Sequence, residues 1–158
     1  MSRIVTLAPS LAGTSLADTL AYPEQLFASP IACMIKDHRR TAVARVPLDG
    51  SEVYVKRFKP YAWYRRLEAL LGRGPARRSW RVAARIAARG FRPATLLAIV
   101  ETYRFGVPAD GYLVSSAVPG GIPAGRFWLE TAASGPADDR RRFLRAAGSE
   151  LRRLHDAG

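Results

Sequence analysis

Val53-Tyr54-Val55-Lys56-Arg57-Phe58-Lys59 reads as a strand with a lysine set into it. Val53 and Val55 alternate with Tyr54 and Lys56, the two-residue period of a chain whose side chains face opposite ways in turn. Pro47-Leu48-Asp49-Gly50 upstream is turn chemistry, and Ala42-Val43-Ala44-Arg45-Val46 before it has the pattern of a partner strand. A hairpin is therefore expected here. Its lysine is either a solvated residue on the polar face or a cation offered to a phosphate, and spacing alone does not choose between the two.

The chain has 158 residues, enough for one domain with a real core or two small subdomains. Lys and Arg number 25 against 13 Asp and Glu, a formal charge of +12, while 48% of residues are hydrophobic. Such a field favours polyanions: nucleic acid, anionic lipid headgroups or a phosphorylated saccharide. Cys33 has no second cysteine to pair with, and His38 and His155 are too few and too distant in sequence for an ordinary zinc site. No apolar run is long enough to span a bilayer, and Pro9, Ser10, Gly13, Thr14 and Asp18 interrupt any secretory signal. A reducing, cytoplasmic setting is expected.

From the start of the chain, residues 1–30 read as an irregular arm with at most one helical turn around Leu16, Ala17 and Leu20. A first strand is expected over 31–35. The polar turn 36–41 that follows contains Arg39 and Arg40, candidate phosphate ligands, but lacks the glycine that lets a backbone approach a phosphate closely. Beyond Pro60, Trp63, Leu67, Leu70 and Leu71 recur at helical spacing. A second helix is expected over 76–89, with Trp80, Ala83, Ala84 and Ala87 as its apolar stripe and Gly90 closing it. Arg77, Arg81, Arg85 and Arg89 fall four residues apart, a repulsive spacing that calls for water, carboxylates or a polyanion, and they are the basis of a nucleic-acid-binding alternative.

Two more strands are expected over 94–101 and 111–115, joined by a long hairpin loop at 105–110. Ser115-Ser116-Ala117-Val118-Pro119-Gly120-Gly121 reads as a linker, because proline and the glycine pair stop either kind of element. After a weak piece at 127–133, a final helix starts at Asp138 or Asp139 and carries Leu144, Ala147, Leu151 and Leu154 on one face.

Val53-Tyr54-Val55-Lys56-Arg57-Phe58, Trp80-Arg81-Val82-Ala83, Ala88-Arg89-Gly90-Phe91-Arg92-Pro93, Leu97-Ala98-Ile99-Val100-Glu101 and Gly111-Tyr112-Leu113-Val114, in this order, resemble the lipopolysaccharide kinase family of bacteria, the core heptose and Kdo kinases. The closing Leu151-Arg152-Arg153-Leu154-His155-Asp156 is similar to the helix before that family's catalytic loop. The resemblance implies an α+β protein-kinase-like amino-terminal lobe, an antiparallel five-stranded sheet plus a helix over 31–118, then a hinge and the first helices of a truncated carboxy-terminal lobe over 119–158.

By the same resemblance Lys56 is the lysine that touches the ATP phosphates, with Arg39 and Arg40 nearby, and Ser115, Ser116, Ala117 and Val118 form the linker against which adenine packs. Ser79 stands where the family often has the glutamate that pairs with that lysine, and Glu68 is the only substitute in view. The complete relative would use ATP and Mg2+ to phosphorylate a sugar hydroxyl of an anionic lipopolysaccharide precursor, working peripherally at the inner face of the inner membrane. Catalytic and metal-binding residues of the family follow the point where this chain stops. The expectation is therefore a chain inactive by itself, whose last helix needs a carboxy-terminal lobe or a second copy to cover it. A noncatalytic pseudokinase-like adaptor is the other alternative.

Overall fold

A computed structural model describes residues 1–59, 69–72 and 74–156. In chain order the elements are strand β1 (Ser2–Leu7), helices α1 (Ser15–Leu20) and α2 (Pro23–Phe27), and strands β2 (Cys33–Asp37), β3 (Thr41–Leu48) and β4 (Ser51–Phe58). Helix α3 (Pro75–Ala88), strands β5 (Leu96–Arg104) and β6 (Val107–Ser116), the short α4 (Ala124–Phe127) with a π-helical turn at Trp128–Ala132, and α5 (Ala137–Asp156) complete the α+β chain. Among the described residues, no helix is long and apolar enough to cross a membrane.

The hairpin read from the sequence forms, with β3 and β4 joined by Asp49-Gly50 at φ 48° and 72°. Both turn residues sit in the left-handed region, the mirror-image turn whose twist matches the flanking strands and which Asp-Gly favours. β4 then pairs with β6, and the six strands run β1-β5-β6-β4-β3-β2, antiparallel throughout. Six strands rather than five make the sheet, because β1 joins its edge.

The opening of the chain is thus ordered structure where the sequence suggested an irregular arm. Ser2 to Leu7 pair residue by residue with Tyr103 to Ala98 of β5. Ile4, Val5 and Thr6 are β-branched and suit a pleated edge, and Val5 and Leu7 turn inward onto the core. Thr14 caps α1 by accepting a hydrogen bond from the Ala17 amide at 3.3 Å, and Pro23 opens α2 where no amide hydrogen is needed. Proline and glycine, which read as breakers in 8–23, therefore punctuate two short helices.

The expected long loop at 105–110 is also corrected. β5 and β6 are joined by the two-residue turn Phe105-Gly106, at φ 52° and 75°, and the strands continue to Arg104 and from Val107. Pro108 lacks an amide hydrogen, and the register shifts between Glu101 and Tyr103. The buried Thr102 hydroxyl bridges that irregularity, bonding both the Asp110 amide at 3.0 Å and the Asp110 carbonyl at 3.1 Å.

Strand alternation gives the sheet two unlike faces. On one, Ala44, Val46, Val53, Val55, Ala98, Val100, Tyr112 and Val114 bury against Leu20 of α1 and Leu26 of α2. Full burial of a side chain such as Leu20 stabilises by roughly 2–3 kcal/mol. The other face carries the smaller cluster of Phe58, Ala76 and Ile99, with Trp80 and Leu113 beside it, where α3 lies. The inner stripe of α3 is accordingly Ala76, Trp80, Ala83 and Ile86; Ala84 and Ala87, expected in it, are exposed.

At the far end, Phe143 of α5 stacks on Phe127 and Trp128, with ring centroids 5.4 and 5.7 Å away. Arg153 lies over the Phe91 ring at 4.9 Å. Leu144, Leu151 and Leu154, expected as an inner face, remain exposed in this chain.

Candidate functional site

Lys56 stands on the α3 face of β4, opposite Val43 of β3 and Leu113 of β6. It lies in an inner strand of the sheet, between β3 and β6. Its ammonium is 4.9 Å from the centroid of the Phe58 ring, two residues along the same face, so the aromatic quadrupole helps to hold the half-buried cation.

Arg39 and Arg40 occupy the turn between β2 and β3. The His38 amide donates to Thr41 O at 2.8 Å, and the Lys59 amide donates to Arg40 O at 2.9 Å. An ion pair of Lys59 with Asp37 ties the turn to the end of β4 and holds the Asp37 carboxyl below the usual carboxylate range. Where a glycine-rich loop would flex, this four-residue turn is braced on both sides. Arg39 and Arg40 are exposed in sequence-adjacent positions beyond the Lys56 row, at the Thr41–Phe58 end of the hairpin.

Ser115 and Ser116 end β6, and the linker begins there. Two carbonyls pin it: the Ser116 amide donates to Thr95 O at 2.9 Å, and the Ala117 amide donates to Glu52 O at 2.8 Å. Those two N–H groups are therefore already engaged within the fold. Val118 is the first residue past them, exposed, and its carbonyl accepts from the Gly121 amide at 3.0 Å in a turn.

The lysine's carboxylate partner is where sequence and structure part. Ser79 donates its hydroxyl back to Pro75 O at 3.0 Å on its own helix, and Glu68 lies outside the described residues, as do Trp63 and Leu67. The buried carboxylate on this face comes instead from the sheet. Glu101 of β5, 7% exposed, accepts from Arg77 Nε at 2.6 Å. Its other oxygen packs closely against Gly74, where a Cβ would lie 2.9 Å from Oε1 and would push the carboxylate aside. The carboxylate also sits where the helix dipole is positive, at an α3 first turn that has no acidic residue of its own.

Glu101 shares a cross-strand row with Gly111 and Phe58, whereas Lys56 shares one with Leu113 and Ile99. Two strand spacings and one side-chain repeat separate their backbones by about 12 Å. Glu101 is thus an anchor for α3, not a mate for Lys56. Its signal in the sequence was an acid continuing the alternation of Ile99 directly after the apolar run Leu96 to Val100, with Arg77 at the start of a helix.

Of the four-arginine ridge, Arg77 turns to the sheet, while Arg81, Arg85 and Arg89 remain exposed on α3. Arg77 is taken by Glu101, and Arg81 donates to Gly72 O at 2.9 Å. On the opposite face of the sheet, Arg57 grips Asp110 through two contacts of 3.2 and 3.0 Å, and Arg3 bonds both Glu24 and Ala21 O at 2.9 Å while stacking on Tyr22. Among the described residues, no three of the His, Cys, Asp and Glu side chains converge as metal ligands.

No family model matches the chain, and no curated protein matches it. Among solved structures it is similar to WaaP in complex with acyl carrier protein, at 18% identity with a TM-score of 0.51, over 86% of this chain and 49% of that one. This chain spans about half the length of that structure, and the likeness is one of fold.

Proposed function

We propose that this chain is the nucleotide-binding, sheet-bearing part of a lipopolysaccharide-kinase-like protein. The observation that carries the reading is Lys56, set centrally on the face of an antiparallel sheet that also bears α3, one strand from the segment where β6 becomes a linker. The fold shared with WaaP agrees with the sequence resemblance. In this reading Lys56 holds the α- and β-phosphates of ATP, Arg39 and Arg40 add positive field from the β2–β3 turn, and adenine packs beside Ser115, Ser116, Ala117 and Val118. With the Ser116 and Ala117 amides engaged, adenine is read by carbonyls and by the Val118 amide.

Because no carboxylate of the described residues faces Lys56, the nucleotide phosphates themselves are its counter-charge. Mg2+ would arrive bound to those phosphates, where it neutralises charge developing during transfer; no acidic cluster among the described residues would hold it independently. The γ-phosphoryl group would pass to a sugar hydroxyl of a lipopolysaccharide core or Kdo acceptor. An anionic acceptor and an anionic membrane surface both suit a chain of +12.

Titration with a fluorescent ATP analogue tests the reading. Saturable binding is expected, weakened at least about tenfold by Lys56→Met, since a charge-assisted phosphate contact contributes on the order of 1.5–3 kcal/mol. An absence of saturable nucleotide binding, or equal affinity in the Lys56→Met protein, would sink it.

A further inference from the structure

Two turns of the same geometry close hairpins of this sheet, and they carry unlike residues. Between β3 and β4 the turn is Asp49-Gly50, at φ 48° and 72°; between β5 and β6 it is Phe105-Gly106, at φ 52° and 75°. Both central positions of such a turn lie in the left-handed region, where glycine or a short polar residue is at ease and a bulky side chain is not. Asp49 is the kind of residue the turn asks for. Phe105 is held there against its own preference, and burial does not offset this, because the residue is 93% exposed.

The neighbours of the ring make a small apolar tip with a cation in it. Val107, exposed, closes the hairpin opposite Arg104. Ser2 of β1 stands opposite Tyr103, which brings the exposed Met1 level with Arg104. Arg104 is itself exposed, with its guanidinium over the Phe105 ring at 5.8 Å. Residues 1–7 and 103–107 include no acid, and the acids on either side of the turn, Glu101 and Asp110, are held by Arg77 and Arg57. The hairpin's own carboxylates therefore leave the charge of Arg104 uncancelled.

A strained turn whose ring packs on nothing has its use outside the fold. We propose that the β5–β6 tip inserts into an anionic lipid surface, with Phe105, Val107 and Met1 at the boundary of headgroups and acyl chains and Arg104 on a lipid phosphate. This contact rests on the reading above of a membrane-attached acceptor, and it names the part of the chain that meets the membrane. A bilayer suits the tip better than a protein does, because a projecting ring enters it without a matching pocket. Arginine beside the ring reaches phosphates while its stem lies along apolar surface, and the chain's charge of +12 draws it to an anionic layer from a distance. Leu113, opposite Lys56, lies about 20 Å along β6 from Val107, so a surface bound at the tip leaves the lysine open.

Co-sedimentation of the full chain with vesicles of phosphatidylglycerol and phosphatidylcholine in equal parts is the test, with pure phosphatidylcholine as the comparison. Binding to the anionic vesicles is expected, and at least about tenfold weaker binding to the neutral ones. Phe105→Asn, which suits the turn and should keep the fold at least as stable, should weaken anionic-vesicle binding about fivefold or more, and Phe105→Trp should preserve it. Arg104→Glu should weaken it about tenfold. Affinity for the fluorescent ATP analogue should be the same in Phe105→Asn as in the parent, so the membrane contact and the nucleotide reading fail separately. No binding to anionic vesicles, or equal binding to neutral ones, would overturn the proposal. So would a Phe105→Asn protein that binds as tightly as the parent, the result expected if the α3 arginines or the α5 leucines hold the chain to the surface. A lipid-free dimer that Phe105→Asn converts to monomer would assign the ring to a second copy and equally overturn it.

Discussion

The two faces of the sheet are built to different rules. Under α1 and α2, ten buried residues of four strands and two helices close a continuous apolar layer. Under α3 the buried cluster has three members, and the rest of the surface carries Lys56, the Glu101–Arg77 pair and a cavity. Contacts that stabilise are concentrated on one side, and groups able to meet a ligand on the other. A single sheet can do both because its side chains alternate, so neighbouring residues such as Val55 and Lys56 answer to different demands.

That division is open to direct challenge. The largest effect belongs to the closed face: Leu20→Ala, in a fully buried position, should lower unfolding stability by about 3 kcal/mol in urea titrations, with nucleotide affinity of the remaining folded protein unchanged. A loss below about 1 kcal/mol would mean that the amino-terminal helices are not integral to the core.

Next comes the anchor of α3. Glu101→Gln should cost about 1–2 kcal/mol, less than a fully buried pair would, because the Arg77 side chain is 37% exposed and keeps some of its hydration. A double-mutant cycle with Arg77→Met checks this: strong coupling is expected, and simple additivity would show that the two residues act separately.

On the ligand face, Lys56→Met should shift stability by no more than about 0.5 kcal/mol while weakening nucleotide binding at least about tenfold. A large stability loss would make Lys56 a structural residue and erase the contrast between the faces.

The smallest effect appears only in alkali. Burial raises the Tyr112 pKa above its ordinary value near 10, against the opposing pull of the Arg57 charge. A raised folded-state pKa gives a contribution fully present below the unfolded value and lost as pH rises through the folded one, so stability should fall from about pH 10 upward. Tyr112→Phe should flatten that alkaline limb. An unchanged limb would move its origin to other groups, Tyr103 among them.

The exposed leucines of α5 mark a third kind of surface. Leu144, Leu151 and Leu154 follow the helical period of a buried stripe, yet in this chain they are open, while Phe143, Arg153 and Arg140, which donates to the Ala133 and Gly135 carbonyls, hold α5. Periodicity records which face of a helix is apolar; it carries no information about what covers it.

The sequence by itself determined the elements whose signals are local. Asp49-Gly50 between alternating runs specified the β3–β4 hairpin, the apolar period specified α3 and α5, and the run from Leu97 to Val100 specified β5. Lys56 was legible as the lysine of a strand, because one strand and one turn suffice to place it. Tertiary structure decided what depends on partners distant in sequence. β1 is a strand because β5 offers it an edge, and the expected loop at 105–110 closes as a two-residue turn because strand pairing carries Phe105 into a left-handed conformation that its own propensity disfavours. Glu101 became a buried anchor only when folding brought Arg77 and Gly74 to it, 24 positions away in the case of the arginine. Backbone hydrogen bonding and side-chain period are short-range and can be read along the chain. Ion pairing, edge pairing and the cavity between α3 and the sheet depend on three-dimensional proximity, which no local pattern encodes.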